Sequence, residues 1–162
     1  MKKRITFDYD EENGLMIAQL RAGGKTYFGM ATKNPEDDPF PPSFSIGEKI
    51  AEARAYKNMY SDQIIDKKFE LKGLERLLAA MPEDNPGFRY VVHLIDAIQN
   101  EIYDLIGEKK TWKKIINSAI DARGMYIRSR STNKKDKDKY LQTLGQAIHD
   151  LGAINKAKDK ED

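Results

Sequence analysis

The chain of 162 residues contains no cysteine, only two histidines and a single tryptophan. Disulfide bonds, thiol nucleophiles and cysteine-ligated metals are therefore excluded. No apolar run approaches the ~20 residues that a membrane-spanning helix needs. The opening MKKRITFDYDEE has basic residues but no apolar stretch after them, so we expect no secretory signal. Together these absences favour a cytoplasmic protein that does not contact a membrane.

Charge, by contrast, is abundant. Hydrophobic residues make up 40% of the chain and charged residues 33%, which predicts a modest core under a charged surface. Residues 109–139 contain 11 Lys/Arg and 3 Asp/Glu, a net charge of +8, whereas the rest has 17 basic and 23 acidic residues, a net charge of −6. This asymmetry indicates a basic end that faces an anionic partner, although a solvated helix-and-loop surface explains it equally well.

Three strand-like runs open the chain, at residues 4–9, 15–21 and 25–32. The segments DEENG and AGG separate them, and their Gly, Asn and Asp residues tolerate the positive φ angles of tight turns. We therefore expect a three-stranded antiparallel meander. One of its faces must be covered by a helix, which predicts an α+β fold.

A proline-rich corner follows the third strand. Its four prolines, within residues 35–42, lack an amide donor and stop both a strand ladder and a helix. Ser43 or Ser45 is then placed to cap a helix. Apolar residues at three- and four-residue steps predict that this helix extends to Met81, with a bend within residues 66–73.

Further helices are predicted beyond the PEDNPG segment. The second helix begins near Asn85, because Asn-Pro is a good cap and first turn, and ends at Gly107. A third begins near Thr111 and ends near Gly124. The apolar stripe of a last helix consists of Leu141, Leu144, Ile148 and Leu151.

These elements predict two structural units and a tail. Residues 1–81 form the meander with its helix, and residues 82–154 form a helical lobe that contains a basic connector at 124–139. Residues 155–162 are polar and charged, which is typical of a disordered tail.

The sequence offers few groups for catalysis. His93 and His149 lie on different predicted helices, and no carboxylate is spaced to share a ligand set with either. Asp96, Asn100 and Asp104 form one polar row, which is usually solvated surface. We therefore predict no catalytic residue, no metal and no cofactor. A hydrolase that uses the helix carboxylates is an alternative, and it requires a bound divalent metal.

The basic segment is the predicted partner-binding site. Its residues are Arg123, Arg128, Arg130, Lys134, Lys135, Lys137 and Lys139. They can neutralise several phosphates, and Tyr126 or Tyr140 can stack on a base. Asp136 and Asp138 interrupt the lysines, which favours an acidic protein surface over nucleic acid. Both partners stay open at this point.

The corner also carries a spaced pattern, G-x-A-x-x-x-P-x-D-x-x-F followed by G-x-x-I-A-x-x-R-A. Its residues are Gly29, Ala31, Pro35, Asp37, Phe40, Gly47, Ile50, Ala51, Arg54 and Ala55. This pattern resembles short accessory proteins of phages and prophages of Gram-positive bacteria, which are mostly uncharacterised. The resemblance covers about a fifth of the chain. The chain departs from the pattern at Lys33, where cysteine is common, and in the additional PPSFS.

The resemblance implies a fold and a function class. A β-meander leads through a Pro-x-Asp loop into one helix, and we interpret Asp37, Phe40, Gly47, Ala51 and Arg54 as a structural corner. In this interpretation Gly47 and Ala51 allow close approach of the helix, and Arg54 pairs with Asp37 or Asp38.

For function, the resemblance implies a phage-encoded, non-enzymatic protein that inhibits a host defence factor. An anti-CRISPR-like inhibitor of a nucleic-acid-guided nuclease is its most concrete form. The alternative is a nucleic-acid-binding phage regulator or replication accessory protein.

Overall fold

A computed structural model describes residues 1–33, 42–130 and 141–152. Its strands are β1 (Arg4–Asp10), β2 (Leu15–Ala22) and β3 (Lys25–Thr32), as the sequence predicts. Two long helices follow, α1 (Phe44–Ala80) and α2 (Phe88–Ser129), and then a short helix α3 at residues 141–152. The α+β class is therefore confirmed.

The three strands form one antiparallel sheet in the order β1-β2-β3. Ala18 of β2 pairs with Phe7 of β1 and with Gly29 of β3. The two turns contain glycines with positive φ angles, Gly14 in the first turn and Gly23 and Gly24 in the second. These angles are strained for residues with a Cβ atom, so the turn chemistry fixes the register of the meander.

Helix α1 covers one face of this sheet and lies closest to β3. A Cβ atom added to Gly29 would lie 1.9 Å from the Ala51 carbonyl oxygen and 2.4 Å from the Ala55 nitrogen. Ala51 and Ala55 of α1 are fully buried, and so are Ala18 and Leu20 of the central strand β2. The close contact of helix and sheet therefore depends on a strand glycine that faces two helix alanines.

Gly47 has a different role from the predicted one. A Cβ atom on Gly47 would meet the Met16 Cβ atom at 3.6 Å, an ordinary contact distance. Ala51 lies at the close approach to Gly29, whereas a Cβ atom at position 47 fits at an ordinary contact distance. The position that requires glycine is that of Gly29, because the obstacles there are backbone atoms that cannot rotate away.

The outer edge of β3 is capped by side chains from α1. Arg54 donates from Nη1 to the Met30 carbonyl oxygen at 2.6 Å, and Asn58 donates from Nδ2 to the Phe28 carbonyl oxygen at 2.8 Å. Unpaired edge groups otherwise invite pairing with another strand, so these contacts protect the edge. The predicted partners of Arg54, Asp37 and Asp38, lie outside the described residues, as does Phe40. Pairing of Arg54 with an acid stays a prediction.

Helix α1 begins as predicted and continues without interruption to Ala80. Ser43 is the N-cap, and its side chain accepts a hydrogen bond from the Ile46 amide. Ser45 is already inside the helix. The 37-residue helix passes through residues 66–73 as one element, about 55 Å long. The bend predicted there does not divide it.

The predicted division of the next segment into two helices is wrong, because α2 is one helix of 42 residues. Gly107 has no positive φ angle and lies inside the helix. Leu105 and Trp112 are seven residues apart, so the inward stripe resumes in register after the glycine. Residues 124–129, predicted as part of the connector, are the last turns of α2.

One hydrophobic core joins the sheet, α1 and the second half of α2. The rings of Tyr56 and Trp112 stack with their centroids 4.3 Å apart and their planes 2° from parallel. Helix α3 adds Ala147, which is buried, and Leu151. Leu141 and Ile148 are exposed, so the stripe predicted for this helix is wrong at both positions. The core thus contains residues from both predicted units, and the division at residue 81 stays a prediction.

Candidate functional site

Three residues of the predicted partner-binding site lie at the end of α2. Arg123, Arg128 and Arg130 belong to its last turns or directly follow them. Cations are favourable there, because the carboxyl end of a helix carries a partial negative charge. Lys134, Lys135, Lys137 and Lys139 lie outside the described residues. The structure therefore brings together the three arginines.

The aromatic residue of this region, Tyr126, is already engaged by its neighbours. The guanidinium carbons of Arg123 and Arg130 lie 5.3 Å and 4.9 Å from its ring centroid. Arg130 also donates a hydrogen bond from Nη2 to the Tyr126 hydroxyl. Because two cations lie against this ring, stacking of Tyr126 on a base would require them to move. Tyr140 lies outside the described residues.

Arg123 also lines two concavities next to the start of α1. The first is a cavity of about 200 Å³ between the β1–β2 turn, the start of α1 and α2. The second is a groove of about 490 Å³ between α1, α2 and α3. Most of their lining is apolar, and neither of the two histidines lines either space. The arrangement suits apolar contact next to a cation, and it does not assemble an acid–base pair.

At the opposite end of the sheet, a charged cluster joins the second turn to α1. The Lys25 ammonium lies 2.7 Å from Asp62 and 3.2 Å from Asp66, and the Tyr27 hydroxyl donates to Asp62 at 2.8 Å. The hydrogen bonds to Asp62 and Asp66 raise the pKa of Lys25. Those from Lys25 and Tyr27 lower the pKa of Asp62. Because Lys25 is the first residue of β3, these contacts show that the sheet ends near Asp62 and Asp66 along α1.

Helix α1 continues past that level, and its sheet-facing side then meets solvent. Ala51, Ala55, Asn58 and Asp62 follow three- and four-residue steps along the side that contacts β3. Ile65 and Phe69 continue the same steps, and their exposed fractions are 65% and 82%. They are exposed because no strand of the described residues extends beneath them.

The first half of α2 pairs with this free length of α1. Lys67 of α1 forms an ion pair with Glu101 of α2 at 2.7 Å, which fixes the level of the two helices. Tyr103 of α2 lies two residues further and is 78% exposed. We call Ile65, Phe69 and Tyr103 the hairpin surface, since they lie at one level of the projecting α1–α2 hairpin.

The hairpin surface was not predicted from the sequence, although one signal for it is present. Ile64 and Ile65 are adjacent on a helix, about 100° apart around its axis, so a narrow inward stripe accommodates only one of them fully. Ile64 is the buried member. The other member is left to face solvent or a partner.

The groups considered for catalysis lie apart. His93, Asp96 and Asp104 are exposed on α2, and His149 lies on α3 with its Nδ1 atom 3.6 Å from Asp150. Within residues 1–33, 42–130 and 141–152, no three His, Asp or Glu side chains form a group that could hold a metal ion. The hydrolase alternative therefore gains no support from the described residues.

Comparison of the chain with protein families, with curated proteins and with solved structures finds no match. Among the described helices, none is both long and apolar enough to cross a bilayer. What the chain does must therefore be inferred from its own surfaces.

Proposed function

We propose that this chain is a non-enzymatic binding protein and that its partner is a host protein. The observation that carries this proposal is the hairpin surface, above all Phe69, which is 82% exposed. Exposing large apolar groups to water is unfavourable, at roughly 25 cal/mol per Å². Aromatic side chains are enriched in the centres of protein interfaces, where their burial contributes most of the affinity.

The basic end of the molecule provides a second contact in this proposal. Arg128 and Arg130 are exposed at the end of α2, ahead of the four lysines of the predicted site. Exposed charges chiefly increase the rate of association with an acidic surface and contribute less to the lifetime of the complex. The engaged ring of Tyr126 favours this electrostatic role over base stacking.

In its most concrete form, the proposal is an anti-CRISPR-like inhibitor that acts on a nucleic-acid-guided nuclease in the cytoplasm of a bacterial host. Its support is the resemblance of the corner pattern to phage accessory proteins, together with a projecting hairpin that presents aromatic residues. An inhibitor of this type acts by occupying a surface, so it needs no catalytic group of its own.

The test is an interference assay in bacteria that express a guided nuclease. Cells that produce the chain should accept a targeted plasmid at a frequency close to that of a non-targeted plasmid. Purified chain should also bind the purified nuclease complex. If neither targeted plasmids nor the nuclease respond across several nuclease types, inhibition of guided nucleases is wrong. Equal loss of both plasmids would indicate toxicity instead.

The contribution of the basic end is tested by association kinetics with the captured partner. The double variant Arg128→Gln with Arg130→Gln should slow association at low salt and leave dissociation nearly unchanged. Lys72→Gln with Arg76→Gln removes the same charge from α1 and serves as the matched control. If dissociation changes instead of association, the arginines make buried contacts and are not steering groups.

A further inference from the structure

The face of the sheet opposite α1 is not covered by any described element. The register places its side chains in rows across the three strands. One row contains Arg4, Arg21 and Thr26, and the next contains Thr6, Gln19 and Phe28. A third row joins Asp8, Ile17 and Met30. The open face thus has a basic end and an apolar patch formed by Ile17, Phe28 and Met30, with Thr6 and Asp8 on its β1 side.

The basic end contains an unfavourable pair. Arg4 and Arg21 lie directly opposite each other on adjacent strands, and both are exposed. Among residues 1–33, 42–130 and 141–152, neither forms an ion pair with a carboxylate. Like charges in directly paired positions destabilise a sheet. An anion between the two guanidinium groups would convert this repulsion into two attractive contacts.

The apolar patch begins next to that pair. Phe28 is one row from Arg21 and is 48% exposed, and Met30 is 52% exposed in the following row. Diagonal neighbours on one face of a sheet are close enough for aromatic and long side chains to reach the same ligand. An anionic group held by the arginines therefore has a flat apolar ring within reach.

The area of the open sheet face indicates which kind of ligand it can bind. Three strands about 4.8 Å apart and about seven residues long present roughly 14 by 24 Å, or about 340 Å². A stable protein interface buries about 800 Å² on each partner, which is more than twice this area. A short single strand of nucleic acid fits, because it needs only a cationic track and a ring on which a base can stack.

We propose that the open face of the sheet binds single-stranded nucleic acid, with a phosphate between Arg4 and Arg21 and a base on Phe28. This site is separate from the proposed protein-binding function. The hairpin surface belongs to the helices, and Arg123 lines the same cavity as Gly14, which lies at the end of the sheet away from Arg4. Either function can therefore fail without the other.

The experiment measures fluorescence anisotropy of a labelled short oligothymidylate and a labelled oligouridylate with the whole chain. Phe28→Thr should weaken binding about fivefold or more, since stacking on an aromatic ring contributes that much per base. Threonine suits an exposed strand position, so the fold should be retained. The double variant Arg4→Gln with Arg21→Gln should reduce the slope of log affinity against log salt by about 0.7, because the two arginines share one phosphate.

The same double variant gives a readout that a structural role would not give. Because it removes a repulsive pair, its melting temperature should equal or exceed that of the parent chain while its affinity falls. Lys72→Gln with Arg76→Gln, two exposed positions on α1, is the charge-matched control and should keep the affinity within about twofold. Binding of either oligonucleotide with these responses supports the site and shows whether DNA or RNA is preferred. Absence of saturable binding, an unchanged affinity of the Phe28→Thr variant, or equal losses of affinity in the Arg4/Arg21 variant and the Lys72/Arg76 control would overturn it.

Discussion

The two halves of α1 have opposite surroundings on the same side of the helix. In the first half, Ala51 and Ala55 are fully buried against Gly29, and Arg54 caps the edge of β3. In the second half, Ile65 and Phe69 continue that side into solvent. Small residues thus face the sheet, and large apolar residues face nothing in the described chain. The first half of α1 packs against the sheet, and in the proposed function the second half contacts the partner.

The largest effect on stability should come from adding a side chain at Gly29, where there is no room for one. In the Gly29→Ala variant the new Cβ atom would overlap backbone atoms of Ala51 and Ala55, so β3 and α1 must separate. We expect the free energy of unfolding to fall by about 3 kcal/mol, at the upper end for overpacked sites. Urea titration followed by circular dichroism measures this change.

Gly47→Ala is the matched control for that experiment. Its Cβ atom would find ordinary contact with Met16, and alanine is favoured over glycine inside a helix. We expect the free energy of unfolding to rise by about 0.5 kcal/mol. Equal destabilisation by both substitutions would show that the helix approaches the sheet differently.

A second comparison uses two neighbouring residues of the hairpin. Ile64 is buried, so Ile64→Ala should lower the free energy of unfolding by about 2 kcal/mol. Ile65 is exposed, and Ile65→Ala should change it by no more than about 0.5 kcal/mol. The same titration measures both. Comparable losses of stability would mean that Ile65 is covered when the chain is free in solution.

Removing a side-chain contact at the edge of β3 should lower the free energy of unfolding by a smaller amount. Arg54→Met removes the hydrogen bond to the Met30 carbonyl and should cost about 1 kcal/mol, since that group stays accessible to water. Arg76→Met, an exposed position farther along α1, is the control and should be neutral. A loss of stability well above ~2 kcal/mol would be explained by an additional carboxylate partner, such as Asp37 or Asp38.

The smallest expected effect is on the pH dependence of stability. It comes from Asp62, which lies between the two halves of α1. The contacts from Lys25 and Tyr27 lower the pKa of Asp62. Its contribution to stability is therefore present above the ordinary Asp pKa of about 3.9 and is lost as the pH falls through the lowered value. Asp62→Asn should lose less stability than the parent chain between neutral pH and about pH 3.

Lys25, the ion-pair partner of Asp62, affects the pH dependence of stability only at high pH. The raised pKa of Lys25 means that its contribution is complete below about pH 10.4 and is lost only as the pH rises through the raised value. Identical acid profiles for the Asp62→Asn variant and the parent chain would show that this cluster does not hold the turn to α1.

Much of the fold can be predicted from local sequence patterns. The strand bounds follow from alternation between glycine turns, and Ser43 caps α1 as one of two predicted serines. The unbroken α2 is also encoded, because Leu105 and Trp112 keep one seven-residue register across Gly107. A glycine suggests a helix end when it is considered alone, but here packing on both sides of it stabilises the continuous helix.

The surfaces are less accessible to prediction. Which glycine is indispensable depends on how β3 meets α1, and no local pattern distinguishes Gly29 from Gly47. The exposure of Phe69 depends on where the sheet ends along α1, which is a property of the assembled fold. For the basic end, the sequence identifies the charges, but only the structure shows that Arg123 and Arg130 lie against Tyr126.

The most direct measurement compares stability and interference in one variant, Ile65→Ser with Phe69→Ser. Both side chains are exposed, so the free energy of unfolding should stay within about 0.5 kcal/mol of the parent chain. Protection of a targeted plasmid should be lost, whereas Phe28→Thr should retain it. A variant that unfolds much more readily would contradict the assignment of these residues to a free surface. Full protection by a stable variant would contradict their assignment to a partner-binding surface.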